Sequence, residues 1–356
     1  MVFFRKFFLK IIISTIIIAF LIISPYPLFS KINKLNYSLN KVYNFNFSGV
    51  IELWNVDTFE GGSVSRAAFL EKRAIEFEKK NKGVFISVNN LTLNQLKLNL
   101  EKGKKPHIIT FGIGVEDIFI NDIISLNSAF NVRDDLIKSS IVNEKIKAIP
   151  IMMGGYSLIS NKELTFGEFD KEILDELVYA TTDFINPLMS LFVNNINAKK
   201  LTVESLSSFD AYDKFINNKY KILLGTQRDY YRCKNRENNL KMQCDYNVLS
   251  GFSDLIVYAS IFKSENKIEN ISQLFLEYLL SSSVQTKLSN INMFPVIQAN
   301  IYTDSFYKNF NEKLLKDIKT LNVFYSIETL NNIKELLIKN IINNENNEKE
   351  ILKYLM

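Results

Sequence analysis

Apolar runs alternate with stretches of helical spacing in the part of the chain that begins near residue 49. Runs rich in branched and aromatic side chains predict strands at Val50–Val56, Val84–Val88 and Ile108–Phe111. Between these strands the spacing predicts two helices, the first with Ala67, Leu70, Ala74 and Phe77 on its apolar face, the second over Leu93–Lys102. The order of strand, helix, strand, helix and strand predicts a parallel sheet with right-handed crossovers.

A second set of elements follows Pro150. Its expected strands are Tyr156–Ser160, Lys221–Leu224 and Leu255–Ser260, and its expected helical regions are 169–196, 204–217, Ile271–Leu288 and a C-terminal segment with Ile327, Leu330, Leu337 and Ile341. A chain of 356 residues favours two domains of ordinary size over one large core. We therefore expect two α/β domains.

The N-terminal segment Ile11–Ser30 carries no charge and follows three basic residues. A helix of this length would rise about 30 Å, which is close to the hydrocarbon thickness of a bilayer. Pro25 and Pro27 shorten the helical part to Ile11–Ser24, which suits the apolar region of a secretory signal. A cleaved signal peptide and an uncleaved anchor both fit, and the lack of a clear small-x-small cleavage site favours the anchor. Residues 31–47 are expected to be a spacer.

Composition and charge narrow the classes of partner. The chain has 47% apolar and 23% charged residues, as is usual for a globular protein. Its net charge of +5 is spread over segments of mixed sign such as Glu71-Lys72-Arg73, so we expect no nucleic-acid partner.

The sequence lacks the usual residues of common catalytic and cofactor sites. It has one histidine, His107, so it lacks the histidines that common catalytic triads and metal centres use. Gly112-Ile113-Gly114 follows a strand but lacks the third glycine of a dinucleotide site. Asp57 and Glu60 are too close in sequence to face each other across a glycosidic bond. We therefore expect no catalytic residue, no metal site and no cofactor.

The two cysteines, Cys233 and Cys244, leave two readings open. In an oxidising compartment, a disulfide between them would close a short loop and contribute about 2–3 kcal/mol. Two free thiols fit the sequence equally well. Neither cysteine lies near Ile11–Ser30, so a lipid-modified cysteine there is excluded.

Candidate ligand contacts lie around the turn after the first strand. Trp54 is the only tryptophan, and its ring can stack on a sugar face or fill the core. Asp57, Thr58 and Glu60 offer acceptors to ligand hydroxyls, and Gly61-Gly62 would let backbone N–H groups approach a ligand. The structural alternative is that Asp57 and Thr58 cap the turn.

A second polar cluster, Thr226-Gln227-Arg228-Asp229, follows the strand that ends at Leu224. Arginine supplies a planar fork of donors, and the neighbouring Tyr230 and Tyr231 supply rings. The structural alternative is an Arg–Asp pair. Gly154-Gly155-Tyr156 is a candidate turn into a second lobe.

Several segments, in this order, resemble extracellular solute-binding proteins of ABC importers, a family that includes sugar- and oligosaccharide-binding receptors. The segments are IELWNVDTFEGG with FLEKRAIEFEKKNKGVFISV, then GKKPHIITFGIG, AIPIMMGGYSLISNKEL and LFLEYLLSSSVQTKLSNINMFPV, within roughly residues 49–298. The resemblance implies a two-lobed periplasmic-binding-protein-like α/β fold, in which each lobe is a mainly parallel sheet flanked by helices. Hinge strands would join the lobes, which close on a ligand between them.

The resemblance also implies a ligand site and a division of the chain. The expected ligand-binding residues are Trp54, Asp57, Thr58, Glu60, Gly112, Gly114, Tyr156, Gln227 and Arg228. The expected segments are 1–30 (signal peptide or anchor), 31–47 (spacer), 48–149 (lobe 1), 150–250 (lobe 2), 251–298 (return to lobe 1) and 299–356 (C-terminal helices, mainly lobe 2).

The function that the resemblance implies is reception of a solute outside the cytoplasm. We expect a monomeric, membrane-associated receptor that binds a sugar or oligosaccharide and delivers it to the permease subunits of an ABC transporter, without enzymatic activity. Two alternatives stay open: a membrane-tethered ligand sensor with the same fold, and a cell-surface hydrolase.

Overall fold

The structure is a computed structural model that describes residues 47–60, 65–126, 130–161, 177–181, 184–196, 206–240, 244–298, 304–314, 317–343 and 345–356. Ser48–Met356 forms one compact unit, and of the other unit, Met1–Phe47, only Phe47 is described. The predicted membrane segment Ile11–Ser30 therefore lies outside the described residues. Among the described helices, none combines the length and the apolar character that a membrane crossing requires.

The elements are numbered here in chain order. The strands are β1 Gly49–Val56, β2 Val84–Leu91, β3 Ile108–Phe111, β4 Ile141–Val142, β5 Lys145–Ile146, β6 Ile149–Met153, β7 Tyr156–Asn161, β8 Leu177–Tyr179, β9 Ile222–Thr226, β10 Cys244–Leu249 and β11 Ile256–Ile261. The α-helices are α1 Arg66–Lys80, α2 Leu93–Glu101, α3 Asp134–Ile137, α4 Pro187–Val193, α5 Ser208–Ile216, α6 Gln227–Leu240, α7 Asn266–Leu279, α8 Ser282–Gln285, α9 Ser305–Leu314, α10 Ile327–Asn343 and α11 Glu348–Leu352. Short 3-10 helices cover Lys138–Ser140 and Thr286–Ile291.

The first sheet has five strands in the order β2-β1-β3-β11-β6. β1 pairs in parallel with β2 and with β3, which confirms the predicted start of the fold. The crossover helices begin at side-chain caps: Oγ of Ser65 accepts from N of Ala68 at 3.3 Å, and Thr92 forms a capping box with Gln95. The sequence places these caps directly before the apolar faces that the helices bury.

The second sheet has four strands in the order β10-β7-β9-β8. β7 is antiparallel to β10 and to β9, and β8 runs parallel to β9. In the first sheet, β11 is likewise antiparallel to β3 and β6. Four of the five strands in the first sheet and three of the four in the second therefore point in the same direction, which confirms the expected mainly parallel sheet in each lobe. The exceptions are β7 and β11, the strands by which the chain enters each sheet from the other one.

The helix expected over 169–196 is only partly present among the described residues. Leu177–Tyr179 forms β8, and α4 covers only Pro187–Val193. All side chains of β8 are buried, and a short apolar run of this kind cannot be told from a buried helix by periodicity. Pro187 fits the first turn of α4, where a missing N–H costs nothing. The helix expected over 204–217 is confirmed as α5.

The helix expected over Ile271–Leu288 begins earlier and is interrupted. α7 ends at Leu279, and the chain restarts as the short α8 and a 3-10 turn. Oγ of Ser281 donates to the carbonyl oxygen of Tyr278 at 2.6 Å, so the side chain satisfies a backbone group that the helix end leaves without a partner. The apolar stripe predicted near the C-terminus lies on α10, where Leu330, Leu337 and Ile341 are buried.

Among the described residues, two chain crossings lead directly from a strand of one sheet to a strand of the other. The chain passes from β6 to β7 through Gly154 and Gly155, and it returns from β10 to β11 through residues 250–255. The crossings are bonded to each other, because N of Gly154 donates to the carbonyl oxygen of Leu255 at 2.6 Å and Oγ of Ser253 donates to that of Gly154 at 2.8 Å. A motion of one sheet against the other would bend the chain here. The segment boundaries expected from the sequence stay predictions.

Candidate functional site

The predicted site residues around the end of β1 have contrasting environments. Trp54 belongs to β1 itself, and its side chain is only 5% exposed. Thr58 is buried as well, whereas Asp57 and Glu60 are exposed. Trp54 therefore fills the core of the first lobe, and its contact with a ligand stays a prediction.

Asp57 orders the turn through a buried arginine at the start of α1. Nε of Arg66 donates to Oδ1 of Asp57 at 2.8 Å, and the same guanidinium donates to the carbonyl oxygen of Phe59. The Arg66 guanidinium also lies 4.3 Å from the centroid of the Phe59 ring. Burial lowers the pKa of Arg66, and the carboxylate of Asp57 opposes that shift. Asp57 thus acts as a partner of Arg66 rather than as a helix cap, since Ser65 caps α1.

The turn after β3 is packed too closely for side chains at its two predicted glycines. A Cβ at Gly112 would lie 2.5 Å from Oγ1 of Thr58, which is buried and has no hydrogen-bond partner among the described residues. Gly114 has a φ of +101°, and a Cβ there would overlap the ring of Phe184, which precedes α4. The backbone of this first-lobe turn therefore lies against a segment of the second lobe.

The polar cluster Thr226-Gln227-Arg228-Asp229 spans the end of β9 and the start of a helix. β9 runs to Thr226, and α6 begins at Gln227. Oδ2 of Asp229 accepts from N and Oγ1 of Thr226, at 2.8 and 3.1 Å. Burial raises the pKa of Asp229, and the bonds from Thr226 oppose that shift. Asp229 pairs with Arg232, at 3.5 Å, rather than with Arg228 beside it.

Gln227 is fully buried and ties the chain crossing to the C-terminal part of the chain. Its Oε1 accepts from N of Gly155 at 3.0 Å, and its Nε2 donates to the carbonyl oxygen of Asn292 at 3.2 Å. A Cβ at Gly154 would lie 2.8 Å from this amide, so the glycine is needed for the close approach. The amide of Gln227 is committed to these bonds, and its contact with a ligand stays a prediction.

Tyr156 joins the two crossings through a buried carboxyl group. Its OH donates to Oδ1 of Asp254 at 2.6 Å, and N of Asn186 donates to Oδ2 at 2.7 Å. Burial raises the pKa of Asp254 to about 6, and these two hydrogen bonds oppose the shift. No basic side chain pairs with Asp254 among the described residues.

An ion pair links the first-lobe turn to the second-lobe helix. Nη1 of Arg228 donates to Oε2 of Glu60 at 2.5 Å, and Nη2 of Arg232 lies 3.7 Å from the same oxygen. The side chain of Glu60 is 51% exposed, and those of Arg228 and Arg232 are about a quarter exposed. Two arginines one helical turn apart therefore converge on one carboxylate of the other lobe.

A pocket lies beside this ion pair, with about 420 Å³ of empty space, part of it open to solvent. Glu60 borders it from the first lobe. The second lobe supplies the other walls, mainly from β9 and from the starts of α4, α5 and α6. The polar residues among them are Tyr156, Ser208, Thr226, Arg228 and Asp229. The pocket therefore lies between the two lobes.

The pocket brings together part of the predicted site. Glu60, Tyr156 and Arg228 line it. The other predicted residues are held in the contacts described above and do not line it: Trp54, Asp57, Thr58, Gly112, Gly114 and Gln227. Sequence reasoning missed Ser208, because a serine at the start of an amphipathic helix is usually a cap. Thr226 and Asp229 belong to the polar cluster that was identified in the sequence, so this cluster is the sequence signal from which their place in the pocket could have been predicted.

No group of three potential metal ligands occurs within the described ranges. Cys233 is buried and Cys244 half-buried, and no disulfide joins them. A hydrogen bond with Cys244, together with burial, raises the pKa of the Cys233 thiol. The disulfide that the sequence allows is not formed in this structure.

Solved structures of known proteins share this architecture. The GacH receptor of Streptomyces glaucescens, known unliganded and with acarbose, superposes with a TM-score of 0.57 at 13% identity, over 87% of this chain and 97% of that chain. Maltose-bound MalE3 of T. maritima gives a TM-score of 0.59 at 12% identity, over 86% and 98%. The chain has the two-lobed fold of the solute-binding proteins of ABC importers. This confirms the resemblance seen in the sequence at the level of the fold.

The solute-binding-protein fold does not by itself fix the ligand. Iron-bound HitA of Pseudomonas aeruginosa also shares it, with a TM-score of 0.53 at 13% identity, over 81% of this chain and 99% of that chain. Neither a protein-family model nor a curated protein matches the sequence. What this chain binds must therefore be argued from its own residues.

Proposed function

We propose that this protein is an extracytoplasmic receptor that binds a sugar or another polar solute between its lobes and delivers it to an ABC permease. The observation that carries the proposal is the pocket between the lobes, which Glu60 borders from the first lobe and Arg228 from the second. Concave sites between lobes, with a few convergent polar groups, are the usual place for small ligands.

Binding would proceed by closure of the lobes, without covalent chemistry. The paired crossings at Gly154 and Ser253 provide a bending point, and the pocket walls come from elements on either side of it. Ser208, Thr226 and Asp229 line the pocket, and polar residues of this kind suit hydrogen bonding to a polar solute.

A role in hydrolysis has less support. The carboxylates that a glycosidase would need are engaged elsewhere: Asp57 is bound to Arg66, Glu60 to Arg228, and Asp229 to Thr226. GacH and MalE3, whose fold this chain shares, are known as a receptor and as a maltose-bound protein. We infer that the protein binds its solute unchanged.

The N-terminal sequence and the fold support the proposed location and partner. The uncharged segment Ile11–Ser30 supports a position outside the cytoplasm, at the membrane. A receptor at that position would hand its solute to permease subunits. Crosslinking in intact membranes would test this step: recovery of a multi-span permease supports delivery, and recovery of a signalling kinase alone supports the tethered sensor instead.

A thermal-shift screen of the full-length protein against mono- and oligosaccharides tests the binding itself. A solute at 100 times its dissociation constant should add about 2.7 kcal/mol to the free energy of unfolding. The same screen on Arg228→Gln should lose the shift, whereas Lys267→Gln, an exposed lysine on α7, should keep it. If no polar solute shifts the well-folded protein, or if Arg228→Gln responds like the wild type, the proposed site is wrong.

A further inference from the structure

Two arginines of the second lobe share one carboxylate of the first lobe beside the pocket, and Arg232 also pairs with Asp229 of its own helix. Arg228 and Arg232 lie one turn apart on α6, and both approach Oε2 of Glu60, at 2.5 and 3.7 Å. Glu60 belongs to the other lobe and is about half exposed. The ion pair therefore forms only when the two lobes are close, and separation of the lobes would move the Glu60 carboxylate away from both arginines.

The other carboxylates near the arginines are already engaged. Asp57 lies 2.8 Å from Nε of the buried Arg66, and Oδ2 of Asp229 accepts two bonds from Thr226. Burial lowers the pKa of Arg66, and the nearby positive charge of Arg228 lowers it further. The guanidinium groups of Arg66 and Arg228 are therefore close enough to repel each other. Without Glu60, Arg228 has no carboxylate partner among the described residues.

The described walls of the pocket offer little to the face of a neutral sugar. Sugar faces stack on exposed aromatic rings, and the single aromatic residue among the described lining residues is Tyr156. Its ring is 1% exposed and its OH is bonded to Asp254. The strongest recognition groups at the pocket are therefore the guanidinium of Arg228 and, behind it, that of Arg232.

We propose that Arg228 and Arg232 bind an acidic group of the solute, a carboxylate or a phosphate, and that Glu60 occupies this anion site when no solute is bound. This rests on the proposed receptor function and narrows it to acidic solutes, such as sugar acids or sugar phosphates. Guanidinium groups bind both acids through charge-assisted hydrogen bonds, which are roughly twice as strong as neutral ones. Glu60 would then select against neutral solutes, because these cannot replace its charge.

Calorimetric titration with matched probes tests this inference. The full-length protein is titrated with glucuronate, glucose 6-phosphate and glucose, and with maltose and an acidic disaccharide as the longer pair. We expect an acidic probe to bind at least about tenfold more tightly than its neutral counterpart, with affinity that falls as salt is added. Comparison of the carboxylate with the phosphate probe then shows which acid the site prefers.

Single variants distinguish a specific loss of anion binding from a general effect of substitution on the fold. Arg228→Gln and Arg232→Gln should each weaken the acidic probe about tenfold or more, and should weaken its neutral counterpart by clearly less. Glu60→Gln should strengthen the acidic probe several-fold, because it removes the internal competitor. Arg236→Gln, an exposed arginine further along α6, is the matched control and should change nothing.

The outcomes distinguish this inference from the receptor function on which it rests. If neutral probes bind and acidic ones do not, or if Glu60→Gln and Arg228→Gln leave acidic binding unchanged, the anion site is wrong while the receptor function stands. If no probe of either kind binds the folded protein, both are contradicted.

Discussion

Oε2 of Glu60, in the turn after β1, lies 2.5 Å from Nη1 of Arg228 at the start of α6, although the two residues are 168 positions apart in the chain. The bond joins the two lobes at the rim of the pocket between them. Each residue is held in place by its own lobe: Arg66 orders the Glu60 turn through Asp57, and Asp229 orders the start of α6. The ion pair is therefore a contact between two preformed surfaces.

Removal of the Glu60 charge should open the lobes with little loss of stability. An ion pair with a half-exposed carboxylate contributes at most about 1 kcal/mol, so Glu60→Gln should unfold at nearly the wild-type temperature. Without the pair, the solute-free lobes should separate more often, and small-angle scattering should give a larger radius of gyration. Glu71→Gln, an exposed glutamate on α1, is the control. An unchanged radius for Glu60→Gln would show that other contacts hold the lobes together.

The buried carboxyl of Asp254 should make stability depend on pH between about 4 and 6. Burial raises its pKa to about 6 in the folded protein, against about 3.9 in an unfolded chain. In this interval the folded state binds more protons than the unfolded state, so the free energy of unfolding falls as pH rises. The shift of roughly two pKa units corresponds to about 3 kcal/mol in total.

Comparison with Asp254→Asn isolates this contribution. Urea unfolding of the wild type and the variant at pH 4, 5, 6 and 7 gives a difference that contains only the missing carboxyl, since the other titrating groups are shared. The wild type should lose stability relative to the variant as pH rises through the interval. Asp117→Asn, an exposed aspartate, should follow the wild type. A flat difference between wild type and Asp254→Asn would mean that Asp254 stays ionised.

Gly114→Ala should loosen the contact between the lobes. The positive φ of Gly114 strains any other residue by about 1–3 kcal/mol, and the new Cβ would also push against Phe184. Gly103→Ala is a matched control, because Gly103 has a φ of +73° but open space around its Cβ position. We expect both variants to be less stable and only Gly114→Ala to have a larger radius of gyration. An added Phe184→Ala substitution should restore part of the loss, and the absence of any recovery would argue against this contact.

Quenching and substitution of Trp54 distinguish between its two predicted roles, core packing and ligand contact. Since its side chain is 5% exposed, acrylamide should quench its fluorescence weakly, and Trp54→Ala should cost about 3–5 kcal/mol in urea unfolding. Trp54→Phe keeps an aromatic ring in the core and should bind solute as the wild type does. A variant that folds normally and no longer binds would instead support the ligand contact predicted from the sequence.

The first three strands and their helices could be predicted because their signals are local. The apolar spacing of Ala67 to Phe77 and the cap at Ser65 lie within one element, and they act before any distant contact forms. β8 could not be predicted in this way, since Leu177–Tyr179 becomes a strand only by pairing with β9, which is distant in the chain.

The site was only partly predictable for a similar reason. A polar run after a strand marks Glu60 and Arg228 as candidates, but their pairing depends on how two lobes meet. Gln227 has the same kind of sequence signal as its neighbour Arg228, yet its amide is used to hold Gly155 and Asn292 together. Local sequence does not distinguish a side chain that faces the pocket from one that supports the crossing behind it.

Hydrogen–deuterium exchange of the full-length protein, with and without a bound solute, tests most directly whether the solute lies between the lobes. The account predicts slower exchange in the turn at 57–60, at the junction of β9 and α6, and in the crossing at 153–156, with little change in α2 or α10. Protection confined to surfaces away from these segments, or no protection by a solute that binds, would contradict it.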